Sequence, residues 1–442
     1  MKKILSFLLA AALIFYCAAP VICMAANDTQ TLQTQDSGNE SAVVVSEKSE
    51  SKLAKIIEKI SVFFTKIIEK IKSFFGWTKN INLNPLVLRY PNLKENPTVG
   101  KWYRVTSSEM KSSDGSSYRA FIKKGSENKV MIYFAGGGVS INEETARDDT
   151  YNTKMVFPDL LANITMNMGG LASATEDSPF GNWTMILFPY ATGDFHSGTG
   201  EFHYTDKDGK EKILYHNGYV NYTAAMKQIM EKAGIEDADT VLVTGYSAGG
   251  WGAALLADDI YTNYFPQAAN KNVFIDSAMA LYDNWHDTAV NVWQTPSSIT
   301  DKIVSDNITM DCLRSLRQKY GDDIHLLYGT STRDGDLAKV QNYFQNGIMD
   351  VDESVADVYQ QTLKEAIPQF KEIGVSLFIW DGIGYYDDPR NMTSHTIIAT
   401  PVVWVPFESQ NKSVAEWLTD AINGTLNDYG VELVDKVYEK TE

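Results

Sequence analysis

From about residue 101 onward the chain alternates short apolar runs with longer stretches of helical spacing. Residues 129–135 (KVMIYFA) and 240–245 (TVLVTG) are nearly unbroken apolar runs, as strands buried on both faces require. Residues 183–190, 272–276, 324–329 and 375–380 have the same character, and the segments 219–233, 248–265, 337–344 and 414–429 predict helices. Residues 102–106 and 117–123, on either side of Ser112-Ser113-Asp114-Gly115, predict an opening hairpin. Strands separated by helices are joined by crossovers, so the pattern predicts a mostly parallel sheet with helices on both faces. No repeat interrupts it, and residues 77–442 are expected to form one α/β domain.

The residues before this domain carry a different pattern. Lys2 and Lys3 precede an apolar stretch over residues 4–19, with small residues at Ala25-Ala26, the order of a secretory leader. Residues 1–25 are therefore expected to be removed on export, leaving a secreted or cell-surface protein. Residues 26–51 are rich in Ser, Thr, Gln, Asn and Glu and predict a disordered linker. In residues 52–76, KIIEKISVFF (55–64) nearly repeats as KIIEKIKSFF (66–75), which returns Ile56, Ile60, Ile67 and Ile71 to one helical face. Six lysines and two glutamates border that face over residues 52–72. Such an amphipathic helix suits a membrane surface, or packing on the protein's own core or in a small oligomer.

Charge removes some functions from consideration. The 442 residues include 56 acidic and 39 basic side chains, a net charge of −17, and loss of Lys2 and Lys3 with the leader makes it more negative. A nucleic-acid partner would demand a basic face and is excluded. Of three cysteines, Cys17 and Cys23 fall in the leader, so Cys312 is left without an intramolecular partner.

Candidate chemistry centres on Gly245-Tyr246-Ser247-Ala248-Gly249, which fits the G-x-S-x-G nucleophile elbow. It stands between a predicted strand and a predicted helix, the context in which a tight turn projects the serine above a sheet edge. A serine nucleophile needs a base and an orienting acid. In the α/β-hydrolase fold these follow in the order Ser, acid, His. Of the histidines downstream of Ser247, His325 lies in a strand run and His286 follows no strand signal. His395 alone lies in a loop beyond the last strand and is the candidate base. The acid is expected just after the strand at 324–329, where Asp334 and Asp336 both qualify. Asp336 would cap the helix beginning at Leu337, leaving Asp334 free for the imidazole; Asp276 is a third option with a structural role. Gly136-Gly137-Gly138 ends an earlier strand, so the backbone N–H groups of Gly138 and Val139, with Ala248, are the candidate oxyanion hole. Gly137, Tyr246 and Asp194 are expected beside the substrate. His196 and His203 lie in a polar insertion, and no ligand spacing suggests a metal or another cofactor.

Together, Gly136-Gly137-Gly138, Asn182-Trp183, Pro189-Tyr190-Ala191-Thr192-Gly193-Asp194, the elbow and Ser394-His395-Thr396 resemble the pectin acetylesterase/Notum family. The resemblance runs from about residue 97 to the C-terminus. It implies an α/β-hydrolase carboxylesterase, without metal, whose nucleophile is Ser247, base His395 and acid Asp334 or Asp336. Plant members of the family deacetylate pectin, and animal Notum enzymes remove a long-chain acyl group from a signalling protein. This chain has Val139 where the family usually shows Trp, Tyr246 where plant members usually show Cys, and Ala191 where the family tends to show Cys. The absent cysteines look more like a bacterial branch. The resulting expectation is a secreted serine esterase acting on an acylated carbohydrate, most readily an acetyl ester. A Notum-like deacylase of longer chains is the alternative within enzymes. From another class, the chain would be a non-catalytic surface- or membrane-binding protein acting through residues 52–75.

Overall fold

The apolar runs become strands because their side chains are covered on both faces. In the computed structural model, β3 (Lys129–Phe134), β7 (Thr240–Tyr246) and β10 (Val375–Trp380) are buried over almost their whole length. Described residues are 89–438 apart from 149, 156–161, 163, 164, 168, 175–177, 382–390 and 408, together with 62, 65, 66 and 69. The expected leader, linker and amphipathic helix thus lie outside the described residues, except Val62, Thr65, Lys66 and Glu69, which are helical and exposed. Among the described residues, no helix is long and apolar enough to cross a membrane.

β1 (Trp102–Val105), β2 (Ala120–Lys123), β4 (Thr184–Phe188), β8 (Asn270–Asp276) and β9 (Ile324–Ser331) complete an eight-stranded sheet in the order β1-β2-β4-β3-β7-β8-β9-β10. β1, β2 and β4 meet antiparallel, and every other neighbour is parallel. Helices α2 (Gly218–Ala233), α3 (Ala248–Asn263), α4 (Ile308–Tyr320), α5 (Gly335–Asn346), α6 (Glu353–Glu372) and α7 (Val414–Ile422) flank it, after a short α1 (Glu143–Arg147). α3 is rich in Ala and Gly and buried around most of its circumference, since it lies between the sheet and α4. The architecture is that of an α/β hydrolase.

Chain direction across the sheet fixes where a ligand can enter. From β3 the chain steps outward to β4, whereas from β7 it steps the other way to β8. The carboxyl ends of β3 and β7 therefore border the crevice where the strand order reverses, the usual ligand position in open α/β sheets.

Three features depart from the sequence pattern. The polar insertion contains a two-stranded antiparallel hairpin, β5 (Glu201–Thr205) with β6 (Glu211–Tyr215). Helices α4 and α6 were not expected; α6 accommodates Pro368 four residues before its last residue. α7 stops at Ile422 rather than 429, because Asn423 and the left-handed Gly424 (φ 88°) turn the chain away.

Candidate active site

β7 passes into α3 through Ser247, whose backbone is held at φ 54°, ψ −129°. A non-glycine residue in this region costs about 1–3 kcal/mol and persists only where its surroundings enforce it. The enforcement is visible. Ser247 N–H donates to Asp276 O at 2.9 Å, and Gly250 N–H and Trp251 N–H donate to Ser247 O at 2.7 and 3.2 Å. A Cβ on Gly245 would overlap Gly249 O, and one on Gly249 would overlap Phe134 O, so both glycines are required for the strand, helix and neighbouring strand to approach.

The triple-glycine loop leaves β3 directly against this turn. Gly136 is the member that meets the serine: an added Cβ would lie 2.7 Å from Ser247 Cβ and 2.5 Å from Tyr246 O. Gly138 (φ 84°) forms an antiparallel bridge with Tyr151, and Asn152 N–H donates to Gly137 O at 2.8 Å. Gly137 and Gly138 are half-buried; Val139 is buried, and its carbonyl accepts from Thr150 Oγ1 at 2.7 Å. Ala248 opens α3, so its N–H belongs to the helix-terminal donors that lack an intrahelical acceptor.

Asp334 and His395 come together. Asp334 is fully buried, and its Oδ2 lies 2.7 Å from His395 Nδ1. The pairing is built by running residues 391–395 beside the end of β9. Thr393 N–H donates to Arg333 O (2.9 Å), and Arg333 N–H donates to Thr393 Oγ1 (2.8 Å). Thr393 Oγ1 donates to Ser331 Oγ (2.7 Å), which donates onward to Ser394 O (2.8 Å). The expected division of labour between the aspartates needs correction. α5 begins at Gly335, and Asp334, not Asp336, is its N-cap, with Oδ1 accepting from Asp336 N–H (3.1 Å) and Leu337 N–H (3.0 Å). One carboxylate serves the helix and the imidazole through separate oxygens. Asp336 is exposed in the first turn.

Burial opposes charging of the His395 imidazole, but the charge and hydrogen bond of Asp334, with Asp336 and Asp276 beyond, lift its pKa to about 9. Asp276, at the end of β8, is pushed up to about 6 by burial, against three hydrogen bonds that favour its charged form.

Asp194 does not sit at the site surface. It is fully buried, its Oδ1 accepting from Thr192 Oγ1 (2.5 Å) and His196 N–H (3.1 Å), its Oδ2 from Gly198 N–H (3.2 Å) and Gly218 N–H (2.8 Å). This saturated carboxylate shapes the loop that carries His196, whose Nε2 bonds Ala135 O at 2.9 Å just ahead of the glycines. The half-buried Tyr246 ring leans on Tyr133, with centroids 5.9 Å apart. His325 bonds Asn272 Oδ1 within the strands, and His286 is exposed. Two cavities, of about 780 Å³ beside Thr223, Lys227 and Tyr264 and about 300 Å³ beside Tyr282, Asp306 and Phe344, include neither Ser247 nor His395 in their walls.

What sequence reasoning missed is the contact of Gly136 with Ser247 and the involvement of Asp276 with both the elbow and the histidine loop. The only signal for the latter was an acidic residue closing an apolar strand.

A family model described as pectinacetylesterase matches residues 95–319, about half of the chain. That stretch holds the glycine loop, the elbow and Asp276; Asp334 and His395 lie beyond it. The palmitoleoyl-protein carboxylesterase notum1a of Danio rerio is 25% identical over 164 residues, 36% of this chain. The match spans 31% of that protein's length. Among solved structures, the Wnt deacylase Notum from Drosophila is similar with a TM-score of 0.51 at 15% identity, over 76% of this chain and 96% of the other. At that identity the likeness concerns the fold. With the family match covering the glycine loop and the elbow on an α/β-hydrolase sheet, the chain belongs to the pectinacetylesterase family of carboxylic ester hydrolases.

Proposed function

We propose that this protein is an exported serine carboxylesterase that removes small acyl groups, acetyl foremost, from a carbohydrate. The observation that carries the reading is the 2.7 Å contact between buried Asp334 and His395, on a loop fastened to the sheet edge that bears the strained Ser247. Asp334 accepts from His395 Nδ1–H, which leaves Nε2 as the basic nitrogen. Nε2 takes the Ser247 proton as Oγ attacks the ester carbonyl, and returns it to the departing alcohol. The N–H groups of the 136–139 loop and of Ala248 stabilise the oxyanion, each such donor contributing about 3–4 kcal/mol. Water, deprotonated by His395, then releases the acid from the acyl-enzyme.

Two observations favour a small acyl group on a glycan without dense negative charge. Trp251, one helical turn beyond Ser247, is stacked on Phe195 (4.6 Å), which in turn packs on Trp285 and Trp293. All four are buried, so these apolar surfaces are occupied by one another rather than offered to a long chain. The net charge of −17 opposes a polyanion such as fully de-esterified pectin. The similarity to a palmitoleoyl-protein carboxylesterase supports the second reading, removal of a longer acyl chain. Each extra buried CH₂ is worth about 0.8 kcal/mol, so an enzyme built for long chains would prefer them steeply. Acetate release from acetylated xylan or pectin, beside p-nitrophenyl esters from acetyl to palmitoyl, separates the two. Preference for acetyl upholds the first reading, and a rise in kcat/KM with chain length replaces it with the second.

A further inference from the structure

We propose that Asp276 is the positioning residue that couples the nucleophile turn to the histidine loop, an inference that rests on the esterase reading for its chemical meaning. Asp276 ends β8, between the strand that delivers Ser247 and the strand that delivers Asp334. Its main chain and side chain hold opposite halves of the site. The carbonyl oxygen accepts the Ser247 N–H at 2.9 Å. The carboxylate Oδ2 accepts from Ile397 N–H (2.8 Å) and Ile398 N–H (2.9 Å), two and three residues past His395. The other oxygen, Oδ1, accepts from Ser277 Oγ at 2.9 Å, and Ser277 Oγ accepts from Thr396 N–H at 3.3 Å. One buried residue therefore holds the peptide before Ser247 and the Ile397 and Ile398 N–H groups directly, and the Thr396 N–H through Ser277.

Backbone geometry supports the same conclusion. Ser247 (φ 54°), Ser277 (φ 52°) and Thr396 (φ 59°) all lie in the left-handed region. For β-branched Thr396 that is a genuine outlier. Strained residues of this kind survive only when surrounding bonds over-determine them: Ser247 is bonded to Asp276, Ser277 follows it in the chain, and Thr396 is bonded to Ser277. A fully buried carboxylate is costly unless saturated with donors. Its retention here is explained by two backbone N–H groups converging on a single oxygen, which a neutral apolar side chain cannot receive. Asp276 does not compete for the role of acid, because its oxygens face backbone and hydroxyl donors while Asp334 holds the imidazole. Displacing a catalytic group by about 1 Å costs on the order of a hundredfold in rate, so the anchor acts on turnover rather than on substrate affinity.

The test uses the full chain in four variants, Asp276→Ala, Asp276→Asn, Asp276→Glu and Ser247→Ala. Turnover of p-nitrophenyl acetate is read beside amide hydrogen exchange at Ile397 and Ile398 without substrate. Asp276→Asn can still present a carbonyl oxygen to both amides and is expected to keep kcat within about tenfold. Asp276→Ala is expected to lose about a hundredfold in kcat, with KM within about threefold and faster exchange at the two amides. Asp276→Glu keeps the charge but moves it by one methylene, and is expected to fall below Asp276→Asn. Wild-type kcat in Asp276→Ala, unchanged exchange at Ile397 and Ile398, or an active Asp276→Glu beside an inactive Asp276→Asn would overturn the proposal. Turnover that survives Ser247→Ala refutes the esterase reading instead, and the exchange data still decide whether Asp276 anchors the loop.

Discussion

Asp334 divides its carboxylate between two tasks, with Oδ2 2.7 Å from His395 Nδ1 and Oδ1 on the N–H groups that open its own helix. The helix cap fixes the carboxylate, and the carboxylate fixes the ring, so orientation of the imidazole derives from secondary structure.

This division separates the effects of three substitutions. Asp334→Asn keeps an oxygen for the cap but removes the imidazole's acceptor, so kcat should fall about ten-thousand-fold with little change in thermal stability. Asp334→Ala also loses the cap and should unfold more easily by about 1 kcal/mol. Asp336→Ala, exposed in the first turn, should leave kcat within a few-fold. Kinetics and thermal melts on the three variants check this, and an inactive Asp336→Ala would move the acid assignment.

The pH dependence follows from the charge around the base. As the proposed base His395 would act only when neutral, and its pKa is lifted to about 9 by the surrounding carboxylates. Neutral imidazole therefore accumulates as pH rises, and kcat/KM in the free enzyme should climb through the alkaline range rather than level off near 6.5. Removing one of the lifting charges, in Asp336→Asn, should move the climb to lower pH. A plateau reached by pH 7 would contradict the assigned environment.

Gly136→Ala would place a methyl group 2.7 Å from Ser247 Cβ and 2.5 Å from a backbone oxygen that cannot swing aside. The turn must shift, so the variant should lose about a hundredfold or more in kcat. It should also lose about 1–3 kcal/mol of stability. A fully active, equally stable variant would show that the glycine loop does not press on the serine.

Much of this was legible in the sequence because it is local. Strands such as β3 and β7 are apolar runs whose length and β-branched content leave little choice, and the elbow's glycines announce a turn too tight for a Cβ. His395 was singled out by elimination along the chain, and the structure places it against Asp334. Other features depend on distant partners. The capping role of Asp334 was misassigned because two donors and an imidazole share one carboxylate, and the imidazole is 61 residues away. Asp276 reaches amides more than 120 residues on. β5 and β6 were missed because charged residues interrupt their apolar alternation, although Asp208-Gly209 between them is a turn signal. In α6 the buried positions 356, 359, 360, 363, 366, 367 and 370 repeat at helical spacing, but Pro368 argues against a helix there.

The most direct test is hydrolysis of p-nitrophenyl acetate by the wild-type chain and by Ser247→Ala, each verified as folded. The account predicts turnover by the wild type and a loss of about ten-thousand-fold or more in the variant. Equal rates in the two proteins would contradict it, because no serine-centred mechanism would then operate at this turn.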